Sequence, residues 1–396
     1  MSDFKQSKYY QAIKTVNPVW NRLIRLQEIY PEHSKTLLHA GPAFSDFKEI
    51  PEAVKNSLAI ACIYEGWAKD RTEALDLIAS NDVKIRPAQD LDVVVPLAGV
   101  VSPSMYVMQI ENSVRPLDKT YAVLNEGMTW CTRLGIFDEH IVDHLKWLNG
   151  EFSSWLKKVI CSKPLVLSSI LQQSLTLGDD GHGRTNAGSK LISDQLFQQS
   201  EQINLAYSEQ IYNFLKESLA FALNIWMGAS LLILKTGQGC TVQELVVKAG
   251  GNGVEFGYAL SSRPDKWITV KAPEIRGNKE EKFREQDALG TIGDSAVVDV
   301  LGLGGQILDV AEMSANNLKA FLPDDYATRM NEFNLMPLDF LGQRRGLVDI
   351  QKIQLAKKAP LVLLGMISDS GQHGRIGGGV ATLTSDMFEP QEVSNV

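Results

Sequence analysis

The sequence predicts an α/β (α+β) protein in which two mixed α/β domains flank a helical one, and three observations carry that reading. Short β-branched or apolar runs separated by Pro, Gly, Ser and Asn fill residues 83–125. Helical apolar spacing then dominates from Met128 to about Lys235. Strand signals return after Gly237-Gln238-Gly239, punctuated by glycine clusters. The expected units are 1–127 (N-terminal helices plus a small α/β domain), 128–237 (helical) and 238–396 (glycine-rich α/β). A chain of 396 residues is long enough for two or three domains at roughly 150 residues each.

In chain order, residues 1–30 read as helix, with Tyr9, Tyr10, Ile13, Val16 and Trp20 at three- to four-residue spacing and Pro18 as a kink or end. Gly41-Pro42 breaks the chain. Pro51 suits the first turn of a helix through Trp67, and Thr72 begins another through Ile78. Strands are expected at Val83–Arg86, Asp92–Leu97, Met105–Ile110 and Thr120–Leu124. The stripe Trp130, Leu134, Ile141, Leu145, Leu148, Phe152, Leu156 and Ile160 marks helix, and Ser193–Lys235 supplies one or two more. Beyond it, strands are expected at Glu244–Lys248, Val254–Leu260, Trp267–Val270, Ala296–Leu301 and Pro360–Met366, with helices at Ala315–Phe321 and Asp349–Lys357.

Composition narrows the function classes. With 39 Lys+Arg against 47 Asp+Glu the net charge is −8, which disfavours nucleic acid and anionic membrane as partners because both demand clustered cations. The apolar run Leu219–Leu234 is shorter than the roughly 20 residues of a membrane span and reads as a buried helix. Cys62, Cys131, Cys161 and Cys240 are too dispersed for a zinc site or a disulfide framework, and residues 1–30 lack the apolar core and cleavage site of a secretion signal. A reduced, cytoplasmic setting is expected. No cofactor and no metal site is indicated.

The 31 glycines are unevenly spread, and their clusters stand beside reactive residues. Gly178-Asp179-Asp180-Gly181-His182-Gly183-Arg184 joins two carboxylates, an imidazole and a guanidinium at a break between helices. Histidine exchanges protons near neutral pH, and arginine grips carboxylate or phosphate in bidentate fashion. A polar helix-to-helix turn with an Asx cap accounts for the same composition. A second loop, Gln372-His373-Gly374-Arg375 through Gly379, follows an apolar strand-like run and suits either anion binding by backbone amides or a surface hairpin. His39 beside Gly41-Pro42 reads as pocket residue or structural hydrogen-bonder. Asn125-Glu126-Gly127 with Arg133, Asn252-Gly253 and Gly293-Asp294-Ser295 are turn or capping chemistry as readily as ligand chemistry.

Taken in order, seven blocks resemble one family: His39-Ala40-Gly41-Pro42, Pro96 to Met105, Asn125-Glu126-Gly127 with Arg133, Gly178-Asp179-Asp180 with His182 and Arg184, Asn252 to Gly257, Ile292 to Ser295, and Pro337 to Phe340. They look like the AllG (YlbE-like) proteins, long catalogued as a domain of unknown function, over about residues 35–390. The resemblance implies a bacterial cytoplasmic protein working beside FdrA-like and AllH-like partners in oxamate carbamoyltransferase. That reaction is phosphorolysis of oxalurate to oxamate and carbamoyl phosphate, late in anaerobic allantoin breakdown. The chain departs from the family where Gly-Asp-Glu is Gly178-Asp179-Asp180, where His-Asn-Arg-Asn is His182-Gly183-Arg184-Thr185, and in Gln306–Met313, Gly342–Gly346 and Leu364–Ser368.

The expected function is therefore an enzyme or enzyme subunit acting on a ureido or amide carbonyl of a small anionic substrate, self-associating as a homo-oligomer. His182 is the expected acid/base, oriented by Asp179 or Asp180, with Arg184 on the substrate anion and amides near Gly374–Gly379 on the developing oxyanion. His39, Asn125, Glu126, Arg133, Asn252, Asp294, Ser295, His373, Gly374 and Arg375 complete the expected pocket. The alternatives are a non-catalytic subunit of an FdrA-like enzyme, or a diverged biosynthetic enzyme performing cyclisation, amide formation or hydrolysis.

Overall fold

The computed structural model describes residues 2–389. Its N-terminal segment corrects the helix expected over 1–30. Helices α1 (Ser2–Gln6) and α2 (Lys8–Lys14) are followed by a strand, β1 (Pro18–Arg25). The misleading signal has a physical cause: β1 carries a bulge between Trp20 and Arg22. One extra residue turns both Trp20 and Leu23 into the core, so a strand shows the three-residue spacing of a helix.

Next come α3 (Leu26–Ile29), β2 (Thr36–His39), α4 (Glu52–Tyr64), α5 (Arg71–Ala79), β3 (Lys84–Pro87), β4 (Val93–Val94), β5 (Val100–Val101), β6 (Tyr106–Asn112) and β7 (Arg115–Val123). Pro51 sits at the N-cap of α4, and Asp70 caps α5 by accepting the Glu73 amide. The middle of the chain is helical: α6 (Glu139–Trp147), α7 (Ser153–Ser162), the short strand β8 (Leu165–Val166), α8 (Leu167–Thr176), α9 (Asn186–Gln202), α10 (Glu209–Glu217) and α11 (Phe221–Lys235).

The last part holds β9 (Val246–Asn252), β10 (Glu255–Leu260), β11 (Arg263–Lys271), β12 (Arg276–Lys279), β13 (Ile292–Gly293), α12 (Ala296–Leu301), α13 (Glu312–Leu318), α14 (Met330–Phe333), β14 (Asn334–Pro337), β15 (Arg345–Val348), α15 (Ile350–Ala356), β16 (Leu361–Ile367) and β17 (Arg375–Thr382). The strand expected at Ala296–Leu301 is thus a helix. All six of its residues are buried, and a short run buried on every side has no periodicity to separate the two states.

The sheets run β4-β7-β6-β1-β8, β3-β2-β5, β11-β10-β9-β13, β12-β17-β16 and β14-β15. Helix α11 lies against the first sheet, where Gly228 allows close approach: a Cβ there would stand 2.9 Å from Ile110 Cγ1. The main hydrophobic cluster includes Trp20, Leu156, Trp226, Val298 and Phe333, and so joins residues from all three expected units in one interior. Among the described residues no single helix is long and apolar enough to cross a membrane, and α11 is buried along nearly its whole length.

Candidate functional site

The loop between α8 and α9 is organised by its two aspartates. Asp179 accepts the amides of Ala187 (3.1 Å) and Gly188 (2.8 Å) in the first turn of α9. Burial lifts its pKa to about 6, against those amides, with Asp180 adding to the rise. Asp180 accepts the amides of His182 (2.7 Å) and Arg184 (3.1 Å), and its second oxygen takes the Ser314 hydroxyl at 2.5 Å. Neither carboxylate orients the imidazole, which corrects the sequence-based expectation.

That role falls to Asp299 on α12, whose Oδ2 lies 2.6 Å from His182 Nδ1. The other oxygen accepts the amides of Gly305 (2.8 Å) and Leu363 (3.2 Å), so the carboxylate is fixed from three sides. Both residues are buried. Burial works against the imidazolium, yet the charge and hydrogen bond of Asp299 outweigh it and His182 titrates above an ordinary histidine. With Nδ1 committed to a carboxylate, the neutral imidazole keeps its lone pair on Nε2. Nε2 makes no hydrogen bond among the described residues, and the side chain is 3% exposed. Arg184 is set apart: its Nε lies 4.0 Å from Asp179 Oδ1 and has no hydrogen bond.

Two of the expected arginines lie within reach of each other's charge. Arg133 is buried and donates to the Gly127 carbonyl (2.8 Å from Nη2) and to Met128 Sδ (3.3 Å). Arg375 stands on β17, paired with Ile367, and its exposed guanidinium makes no hydrogen bond or ion pair among the described residues. Its pKa is lowered first by loss of hydration and then by the charge of Arg133, with Glu280 offsetting part. The Arg375 side chain lies across two glycines paired in register, Gly365 and Gly378: a Cβ at either would come within 3.3 Å of Nε or 3.0 Å of Nη2. Leu97 faces the same floor, and holds φ +47, a conformation that side chains other than glycine rarely adopt. The His182 loop reaches this sheet face two strand positions away, where Gly183 packs on Leu363. Alternate strand residues stand about 7 Å apart on one face.

The remaining expected residues serve the frame. Asn125 accepts the Gly127 amide (2.8 Å) and donates to the Ala220 carbonyl (2.7 Å). Glu126 accepts both the amide and hydroxyl of Thr132, and burial raises its pKa to about 7. Asp294 accepts Gly41 N (2.9 Å), Val95 N (2.9 Å) and Gln89 Nε2 (2.6 Å), while burial pushes its pKa to about 7. Asn252 donates to the Pro42 carbonyl and accepts Val254 N and Glu255 N. His39 is buried against Phe44, with a pKa lowered to about 4 by burial and Nε2 unpartnered. Ser295 is buried beside Gly293, near Leu97. His373 packs on Phe283 with ring centroids 5.4 Å apart and planes tilted by 36°, and Gly374 packs on Ile136. Gly377–Gly379 lie in β17 between β12 and β16 and serve both ladders, so their amides are not free for an oxyanion.

Asp299, Ser314, Gln89 and the Gly365–Gly378 floor escape sequence reasoning. Asp299 left one usable trace: a single carboxylate inside Ala-Val-Val-Asp-Val-Leu, where a charge is costly unless it has partners. Among the described residues no group of three or more His, Cys, Asp and Glu side chains is arranged to hold a metal ion.

Fold and site together define a mixed α/β chain with a buried His-Asp pair and an exposed arginine on the glycine-floored face of its β12-β17-β16 sheet. The family model described as oxamate carbamoyltransferase subunit AllG matches residues 83–295, and the chain belongs to that family. The Escherichia coli K12 oxamate carbamoyltransferase subunit AllG is 26% identical, over 96% of this chain and 94% of that one. The uncharacterised E. coli K12 protein YahG is 28% identical, over 90% of this chain and 78% of that protein. A crystal structure of a conserved protein of unknown function from Enterococcus faecalis V583 superposes with a TM-score of 0.86 at 25% identity, covering 96% of this chain and 94% of that one.

Proposed function

We propose that the chain is an AllG-type catalytic subunit of the allantoin pathway that transfers a carbamoyl group between a small ureido carboxylate and phosphate in the cytoplasm. The observation that carries this reading is the exposed Arg375 guanidinium, without an ion pair among the described residues, lying over the Gly365–Gly378 floor two strand positions from the His182 loop. A guanidinium without an ion pair, with the positive charge of Arg133 adding to its own, suits a carboxylate or phosphate group. In the oxalurate direction, a phosphate oxygen attacks the ureido carbonyl and its proton passes to His182 Nε2. Collapse of the tetrahedral intermediate breaks the C–N bond, and the departing nitrogen takes the proton back, leaving oxamate and carbamoyl phosphate. Asp299 holds the imidazole in the tautomer this requires.

Arg375→Ala is expected to weaken phosphate and oxamate binding roughly ten- to a hundredfold, as loss of charge-assisted contacts does. Calorimetric titration checks it, and unchanged affinity for both anions would remove Arg375 from the reading. His182→Ala separates chemistry from binding: a near-normal kcat would exclude it as acid/base. The E. coli relative is a subunit of oxamate carbamoyltransferase, which favours a second reading: a non-catalytic, ligand-binding subunit whose complex turns over only with FdrA-like and AllH-like partners. Assaying the purified chain with and without them decides between the two.

A further inference from the structure

Asp180 is buried, and among the described residues no Lys or Arg forms an ion pair with it. A carboxylate so placed depends on hydrogen-bond donors. Two of its three are amides of its own loop, those of His182 and Arg184. The third is the Ser314 hydroxyl, at 2.5 Å, the one side chain among the described residues that ties this carboxylate to another element. Ser314 lies on α13, and α13 is seated on the β12-β17-β16 sheet. Ala315 shares a hydrophobic cluster with Leu361 and Leu363 of β16 and Val380 of β17, and Asn278 of β12 donates to the Asn317 carbonyl at 2.8 Å. Gly365, beneath Arg375, is the next residue on that face of β16 after Leu363. Behind the loop, the Gly304 amide donates to the Asp180 carbonyl at 2.8 Å, and a Cβ on Gly304, at φ +55, would stand 2.9 Å from His182 Cβ. The loop is thus gripped at its base, whereas its tip, Gly183, is exposed.

We propose that Ser314 is a positioning residue: its hydroxyl keeps the His182 loop in place on the sheet that carries Arg375, so that acid/base and anion-binding groups act on one substrate. The inference rests on the roles given to His182 and Arg375 above. Without the hydroxyl, one oxygen of Asp180 is buried with no donor, and the exposed loop yields more easily than the sheet. His182 then shifts against both Asp299 and Arg375, and a misplacement of about 1 Å is enough to cost on the order of a hundredfold in rate.

The test compares the full-length parent with Ser314→Ala and Ser314→Thr, each checked for cooperative unfolding in urea and assayed with partner subunits where turnover needs them. Ser314→Ala is expected to lower kcat about ten- to a hundredfold while KM for phosphate stays within about twofold, because Arg375 is untouched. A second readout needs no turnover. The proton on His182 Nδ1, in its short bond to Asp299, gives a far-downfield NMR resonance that His182→Ala assigns by removing it. That resonance should broaden away in Ser314→Ala and return, together with most of the lost kcat, in Ser314→Thr. Ser314→Cys, close to serine in volume but a weak donor, should fall between the two. An unchanged kcat and resonance in Ser314→Ala or Ser314→Cys, or a folded Ser314→Thr no better than Ser314→Ala, would overturn the proposal. A parent that never turns over a ureido carboxylate with phosphate sinks the proposed function instead, and the resonance still decides what Ser314 does.

Discussion

At the scale of single residues, Asp299 is the side chain on which most depends. It holds His182 and two backbone amides at once. In Asp299→Asn the imidazolium loses the charge that stabilises it, so the His182 pKa falls and the acidic limb of the rate profile moves to lower pH. We expect kcat to drop on the order of a hundredfold or more; a variant with an unshifted profile would sink the orienting role. Glu126 makes a prediction of opposite sense. Its folded pKa of about 7 lies above the unfolded carboxyl value, so the folded state binds the extra proton and stability falls as pH rises from about 4 through 7. Glu126→Gln imitates the protonated form while keeping both contacts to Thr132. It should flatten that decline, worth on the order of 3 kcal/mol, in urea unfolding at pH 5 and pH 8. An identical slope in parent and variant would show that Glu126 does not titrate with folding.

At the scale of elements, turns and caps hold the site in place. The turn after β2 passes so close to β9 that a Cβ on Gly41, at φ +73, would lie 2.3 Å from the Gly251 carbonyl carbon. Backbone cannot yield as a flexible side chain can. Gly41→Ala is therefore expected to destabilise by roughly 3 kcal/mol or more, combining strain and overpacking, and a melting temperature within a degree or two of the parent would refute the close approach. Asp179 acts on a different element, capping α9, and Asp179→Ala should cost about 1–2 kcal/mol. These two sites were legible in the sequence as glycine and aspartate junctions, but the work each does was not. A cap and a catalytic carboxylate share one composition.

At the scale of the whole molecule, the parts are stitched by polar side chains as well as by the common core. Gln89 brackets Ala249 on β9, donating to its carbonyl at 2.8 Å and accepting its amide, and donates to Asp294 as well. A single cooperative unfolding transition is the expected calorimetric outcome, lowered as a whole in Gln89→Ala; two resolved transitions, one of them insensitive to that change, would argue for independent units. What the sequence determined by itself was the alternation of α/β and helical segments, and the junctions where Arg133, His182, Asp294 and Arg375 stand, because periodicity and turn chemistry are local. The tertiary structure alone decided which of them meet. Asp299 reaches His182 across 117 positions, and Leu97 and Arg375 meet over Gly365 of β16. Contacts between residues so far apart depend on how whole sheets and helices bury one another, and no local spacing records that.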